Sequence, residues 1–173
     1  LRLDLKSEQG QALAQALMRR SDVLVHNFTP KTSERLGLSF EQVRTRNDQL
    51  IYASISGYGS AGPAANKPGY DLLAQAVSGL MSITGPAEGE PHKVGVAIVD
   101  VLAGLNAAYG IVNALYERAQ TGQVRRVETS LLEAGLAGLI NVASNALIGG
   151  TTPPRYGNAH PNIVPYQTFA TQD

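Results

Sequence analysis

Two short apolar runs, and what separates them, set the terms for this fold. Val23-Leu24-Val25 and Leu50-Ile51-Tyr52-Ala53-Ser54-Ile55-Ser56 are rich in β-branched and aromatic residues and read as buried strands. The first ends at Asn27-Phe28-Thr29-Pro30. A helical piece carrying Leu36, Phe40 and Val43 then runs to a turn at Asn47-Asp48. A strand, a helix and a strand in this order call for a crossover connection and parallel pairing rather than a hairpin. The fold class predicted is therefore α/β, with a mostly parallel sheet flanked by helices.

The remaining pattern adds helices to this unit. Ser7 is placed to cap a helix with Ala12, Leu13, Ala16 and Leu17 on one face, ending near Arg19-Arg20. Gly57 to Gly69 is a glycine- and proline-rich loop, followed by a helix from Tyr70 to about Met81. Asp100 opens the clearest helix, on which Val101, Leu105, Ala108, Val112 and Leu115 form one apolar stripe that Thr121-Gly122 terminates. Val124 to Thr129 reads as a strand. Ser130 and Glu133 form a capping box ahead of one long apolar helix through Leu136, Leu139, Ile140, Ala143 and Leu147. The alternating Leu1-Arg2-Leu3-Asp4-Leu5 and the segment Val164 to Ala170 read as strands at the two ends, each needing a partner.

Composition narrows the function classes. With 173 residues, 43% hydrophobic and 16% charged, the chain has the make-up of a folded globular unit with one core. Fourteen basic residues balance fourteen acidic ones, and no basic run is longer than a pair such as Arg125-Arg126, so no nucleic-acid partner is expected. No uninterrupted apolar run reaches bilayer-crossing length and no signal-peptide pattern opens the chain, so no membrane partner is expected. The absence of cysteine excludes disulfides and thiolate chemistry and fits a cytoplasmic location.

Several chemical motifs fall away on inspection. Gly57-Tyr58-Gly59-Ser60-Ala61-Gly62 spells GxGxxG, yet Pro63 and Pro68 follow where a dinucleotide fold needs a helix N-terminus facing the pyrophosphate. A tight loop at a strand end is the better reading. His26, His92 and His160 lack metal-ligand spacing, so no metal site is expected. No GxSxG supports a serine nucleophile. Asp100 keeps two readings: an ordinary cap at a helix start, or an ionised nucleophile whose pKa the helix N-terminus lowers.

The order of short motifs bears on that choice. Asp22-Val23-Leu24-Val25-His26-Asn27-Phe28, Ser54-Ile55-Ser56-Gly57-Tyr58-Gly59, Pro68-Gly69-Tyr70-Asp71, Gln75-Ala76, Ser78-Gly79-Leu80-Met81-Ser82, Lys93-Val94-Gly95-Val96, Asp100, Ala103-Gly104 and Gly157-Asn158-Ala159-His160-Pro161 follow one another along the chain. Taken together, this series resembles the family III CoA-transferases, a family of acyl-CoA transferases and racemases. The resemblance is to a central fragment. It implies a Rossmann-like sheet, with 1–148 as part of the large domain and 149–173 as a linker and the start of a smaller domain. Two subunits would form an interlocked homodimer.

The resemblance also assigns roles. Asp100 matches the family's catalytic aspartate, which attacks an acyl-CoA thioester, so acyl-CoA and a carboxylic acid acceptor are the implied partners. Coenzyme A is then a substrate and no prosthetic group is implied. Asn27, Phe28, Arg35 and Lys67 match positions along CoA, and a guanidinium such as that of Arg35 suits phosphate. Tyr70, Gly157, Asn158 and His160 match residues lining the active site. In the racemases the Tyr70 position is a histidine. A tyrosine hydroxyl, with an ordinary pKa of about 10, is a poor base at neutral pH, which favours transferase over acyl-CoA racemase or epimerase. A third reading is a non-catalytic remnant that binds CoA or only folds.

Overall fold

The computed structural model describes all residues, Leu1–Asp173. Three strands, β1 (Val23–His26), β2 (Ile51–Ser56) and β3 (Arg126–Ser130), form one parallel sheet in the order β1-β2-β3. Val23 pairs with Ile51, and Tyr52 with Arg126, so side chains alternate across a common register. Leu24, Tyr52 and Arg126 fall on one face. Val25, Ala53 and Val127 fall on the other.

Each face carries its own core. Between β1 and β2, α2 (Pro30–Arg35) and α3 (Phe40–Arg44) replace the single helical piece expected; Ser39 caps α3 in a reciprocal box with Gln42. They cover the Tyr52 face, where Met18, Leu38, Val43, Leu50 and Tyr52 pack together. The opposite face carries α6 (Ile98–Thr121), with α4 (Asp71–Val77) and α7 (Leu131–Gly138) beside it, around Ala74, Val99, Ala103, Leu131 and Ala134. Arg118 anchors the far end of α6: its guanidinium donates to the Gln49 carbonyl at 2.6 Å and pairs with Asp22 at 2.6 Å, beside the starts of β2 and β1.

The α6 stripe is corrected by this packing. Val101, Leu105, Ala108 and Val112 lie on the outward face, together with Tyr109 and Tyr116. The face against the sheet is made of Val99, Ala103, Ala107 and Ala114. Small residues win that position because close approach to the sheet leaves no room: a Cβ on Gly110 would sit 2.6 Å from Val127 Cγ1. Apolar residues on two faces also make α6 long and apolar enough, at mean hydropathy 1.5, to cross a bilayer by length and composition. Charged and polar residues interrupt this stretch, so it contains no uninterrupted apolar run of that length. Here its inner face is spent on the sheet.

Other expectations are also revised. Ser7 caps α1 (Glu8–Met18) as predicted, but Leu13 and Leu17 remain partly exposed and Met18 is the buried contact. The helix expected over 70–81 breaks at Gly79, whose φ of 91° separates α4 from α5 (Leu80–Ile83). The helix expected after Ser130 is two, α7 and α8 (Ile140–Gly149), bent by 85°. Leu1–Leu5 and Val164–Ala170 form no strand, because neither finds a sheet neighbour here.

Candidate active site

The carboxyl ends of the three strands open into one cavity of about 530 Å³. Asn27 follows β1, Ser56 ends β2 with Gly57 just after it, and Leu131 follows β3; Lys67, Pro68, Gly69, Tyr70 and Asp100 also line the wall. An open α/β sheet binds ligands at this end, where loops diverge from the strands. The structure thus brings together Asn27, Lys67, Tyr70 and Asp100, four residues scattered over 74 positions of sequence (27 to 100).

Two glycines hold this end closed on itself. A Cβ on Gly57 would meet Gly69 Cα at 2.6 Å, and one on Gly69 would meet Gly57 Cα at 2.3 Å. Only glycine permits such backbone contact, so the loop between them is clasped at its base. Asn66 ties its far side down by accepting the Lys31 N–H at 3.1 Å. The next helix begins only at Asp71, so no helix N-terminus opens within the GxGxxG letters.

Asp100 is not the cap of its helix. The N-cap position is Ala97, with no side-chain bond of its own, and Asp100 is the third helical residue. The cap comes from α4: Asp71 Oδ1 accepts the Val99 N–H at 2.8 Å and the Asp100 N–H at 3.3 Å. Asp100's carboxylate is therefore left exposed at the cavity wall, free of helix bonding. Its pKa moves opposite to the expectation. Partial desolvation, then repulsion from Asp71, raise it above the ordinary carboxylate value.

Behind Asp71 lies a residue that sequence reading quoted without giving it a role. Gln75 is fully buried, donates Nε2–H to Asp71 Oδ2 at 2.6 Å, and accepts the Val94 N–H through Oε1 at 2.8 Å. The i, i+4 spacing of Asp71 and Gln75 on one helix was the available signal. His26 is a second such residue. Its Nδ1 accepts the Phe28 N–H at 3.1 Å, so Nε2 carries the proton toward Tyr52 Oη at 2.5 Å, and Tyr52 in turn donates to the Leu38 carbonyl at 3.0 Å. Burial first, then the nearby Arg126 guanidinium, lower the His26 pKa and keep it neutral. This chain fixes the turn that presents Asn27.

The remaining predicted residues lie elsewhere. Phe28 stacks on His26, with ring centroids 5.6 Å apart, and borders a separate cavity over α2 and α3. Arg35 is exposed in the last turn of α2. Gly157, Asn158 and His160 belong to the irregular segment after α8. Arg155 holds that segment against the carbonyls of Pro86 and Gly89, away from Asp100's cavity.

With this geometry in hand, comparison with known proteins is decisive. A family model described as CoA-transferase family III matches residues 1–173. The chain belongs to CoA-transferase family III. It is 42% identical over 170 residues to a succinate–glutarate CoA-transferase of Agrobacterium fabrum, covering 98% of this chain and 42% of that protein. It is 40% identical to the human succinyl-CoA:glutarate CoA-transferase, covering 99% of this chain and 39% of that one. It is 39% identical to an acetyl-CoA:oxalate CoA-transferase of Acetobacter aceti, covering 99% and 44%. Among solved structures, a CAIB/BAIF family protein from Brucella suis superposes with a TM-score of 0.89 at 40% identity, over 97% of this chain and 44% of that one. This family III chain thus spans about two fifths of the length of the curated relatives it matches.

Proposed function

We propose that this chain carries the reacting carboxylate of an acyl-CoA:carboxylate CoA-transferase and that Asp100 is its nucleophile. The observation that carries the reading is the state of Asp100: an exposed carboxylate on the first turn of α6, relieved of capping by Asp71, facing a cavity shared with Asn27, Lys67 and Tyr70. Family membership and the CoA-transferase names of the relatives support the same reaction class.

In this reading an Asp100 oxygen attacks the thioester carbonyl of the donor acyl-CoA. The C–S bond breaks, the thiolate of CoA leaves, and a mixed aspartyl anhydride forms. The thiolate then attacks the aspartyl carbonyl and releases the donor acid as its carboxylate, leaving an aspartyl-CoA thioester. The acceptor carboxylate attacks that thioester, re-forming an anhydride and the thiolate. Attack of the thiolate on the acceptor's acyl carbon gives the new acyl-CoA and returns Asp100 as a carboxylate. One difficult exchange becomes a series of easier steps, and none needs a prosthetic group.

Asn27 and Lys67 hold CoA at the cavity, with Phe28 and Arg35 toward the nucleotide. Gly157, Asn158 and His160 are kept as lining residues on the strength of the resemblance alone, as are the division at 148/149 and the homodimer. The exposed apolar stripe of α6 supports association of some kind. Tyr70 at the cavity, where the racemases have a histidine, argues against proton transfer at the α-carbon.

The test is turnover of succinyl-CoA with glutarate labelled with ¹⁸O in its carboxylates. The mechanism predicts that each cycle leaves one acceptor oxygen on Asp100, read by mass spectrometry of its peptide. CoA transfer without ¹⁸O at Asp100 would overturn the mechanism. Solvent deuterium entering the α-carbon without transfer would identify a racemase, and no reaction or CoA binding would identify a remnant.

A further inference from the structure

We infer that Asp71 and Gln75 are positioning residues for Asp100, a clamp of one half-buried and one buried side chain that fixes the first turn of α6 and the loop before it so that the Asp100 carboxylate faces the cavity unbonded. The inference rests on the reading of Asp100 as the nucleophile. It is carried by the connectivity of two side chains whose hydrogen-bonding capacity is used in one direction only.

Gln75 can be oriented without ambiguity. Its partner at Val94 is a backbone N–H, 2.8 Å away, so the atom facing it is the carbonyl oxygen. The amide nitrogen must then face the two acceptors on its other side, Asp71 Oδ2 at 2.6 Å and the Val96 carbonyl at 3.4 Å. One fully buried amide thus grips the 94–96 loop at two points and Asp71 at a third. Asp71, with Oδ2 held by Gln75, can aim only Oδ1 at α6, where it bridges the N–H groups of Val99 and Asp100. The loop, the helix start and the Asp100 backbone are therefore referenced to α4.

This division of labour has a chemical consequence. An aspartate on a first helical turn ordinarily folds back onto the free N–H groups there, and a carboxylate that accepts such bonds is a weaker nucleophile. Asp71 occupies those donors and adds a negative charge nearby. The Asp100 carboxylate is left both unbonded and more basic than an isolated one.

The experiment pairs two variants with two readouts. Asp71→Asn keeps an acceptor oxygen for Val99 and Asp100 but removes the charge, and it sets its amide nitrogen against the Gln75 Nε2–H, so the bond to Gln75 is lost with the charge. Gln75→Met keeps the charge but releases the loop. The Asp100 carboxylate is titrated by ¹³C NMR, and kcat and KM for acyl-CoA are measured across pH. Asp71→Asn is expected to move the Asp100 midpoint, and the acid limb of kcat, to lower pH. Gln75→Met is expected to lower kcat on the order of 10- to 100-fold with KM little changed, as misorientation of a reacting group does. An unchanged midpoint in Asp71→Asn, or a Gln75→Met protein that folds and keeps wild-type kcat, would overturn the inference. If Asp71→Asn does not fold, the Gln75→Met arm decides alone. The NMR titration does not need turnover: if the wild type never reacts but the midpoint still moves, the transferase reading has failed and the clamp has not.

Discussion

The carboxylate of Asp71 spans the first turn of α6, with Oδ1 2.8 Å from the Val99 nitrogen and 3.3 Å from that of Asp100. A residue in α4 thereby serves as the cap that Ala97 cannot provide. Removing it leaves two helix donors without a partner in a half-buried setting. Asp71→Ala is expected to cost about 1–2 kcal/mol, within the range for loss of a helix cap, measured by urea unfolding at pH 7.

The raised pKa of Asp100 makes a prediction about stability as well as chemistry. The folded chain holds the Asp100 proton more tightly than the unfolded chain does. Its contribution is therefore fully present below the unfolded carboxylate pKa, and is lost as pH rises through the folded value. At neutral pH the ionised group is partly desolvated and also faces Asp71, at a net cost. Asp100→Asn is expected to be more stable than wild type at pH 7, by a higher Tm, with the advantage shrinking as pH falls toward about 4. A carboxylate kept ionised at the expense of stability is what the proposed role of Asp100 predicts.

His26 has the opposite linkage. Burial and Arg126 lower its folded pKa, so the unfolded chain takes up a proton first as pH falls. Stability from the neutral His26–Tyr52 bond is complete above about pH 6.5, and drains away as pH drops through the folded pKa. The difference in urea stability between wild type and His26→Phe is expected to narrow steadily below about pH 6.5. A difference that stays constant with pH would remove His26 from this role.

The contact of Gly57 with Gly69 predicts a localised defect. Gly57→Ala puts a methyl group 2.6 Å from Gly69 Cα, too close for either backbone to stay where it is. We expect a loss of about 1–3 kcal/mol from overpacking, together with weaker CoA binding by calorimetry, because Lys67 and Tyr70 lie at the displaced end of the loop.

The features legible in the sequence were those set by neighbours. Strands β1 and β2, their parallel pairing, the Ser7 cap and the Gly122 stop follow from local pattern. The α/β class follows from their order. What was not legible depended on contacts across the chain. Asp100 reads as a cap because its local sequence is that of a helix start, and the true cap stands 29 positions away. The Asp100 pKa rises rather than falls because of partial desolvation first and the charge of Asp71 second, and neither is visible in the local sequence. The apolar stripe of α6 was found on the outward face because periodicity identifies an apolar side without saying which of two sides meets the sheet; the small residues Ala103, Ala107 and Ala114 held that information. Leu1–Leu5 has strand letters and no strand, since a ladder needs a neighbour that periodicity does not supply. Asn27, Lys67, Tyr70 and Asp100 were named from resemblance, and the strand ends bring them to one cavity. The role of Gln75 is not legible in the sequence, because a buried amide carries no chemistry in isolation.

The central claim is that Asp100 becomes covalently acylated. Incubating the protein with succinyl-CoA, quenching with hydroxylamine and mapping peptides by mass spectrometry tests it directly. The account predicts a hydroxamate at Asp100 in the wild type and none in Asp100→Asn. A folded protein that binds CoA yet yields no hydroxamate, or yields it at another carboxylate, would contradict it.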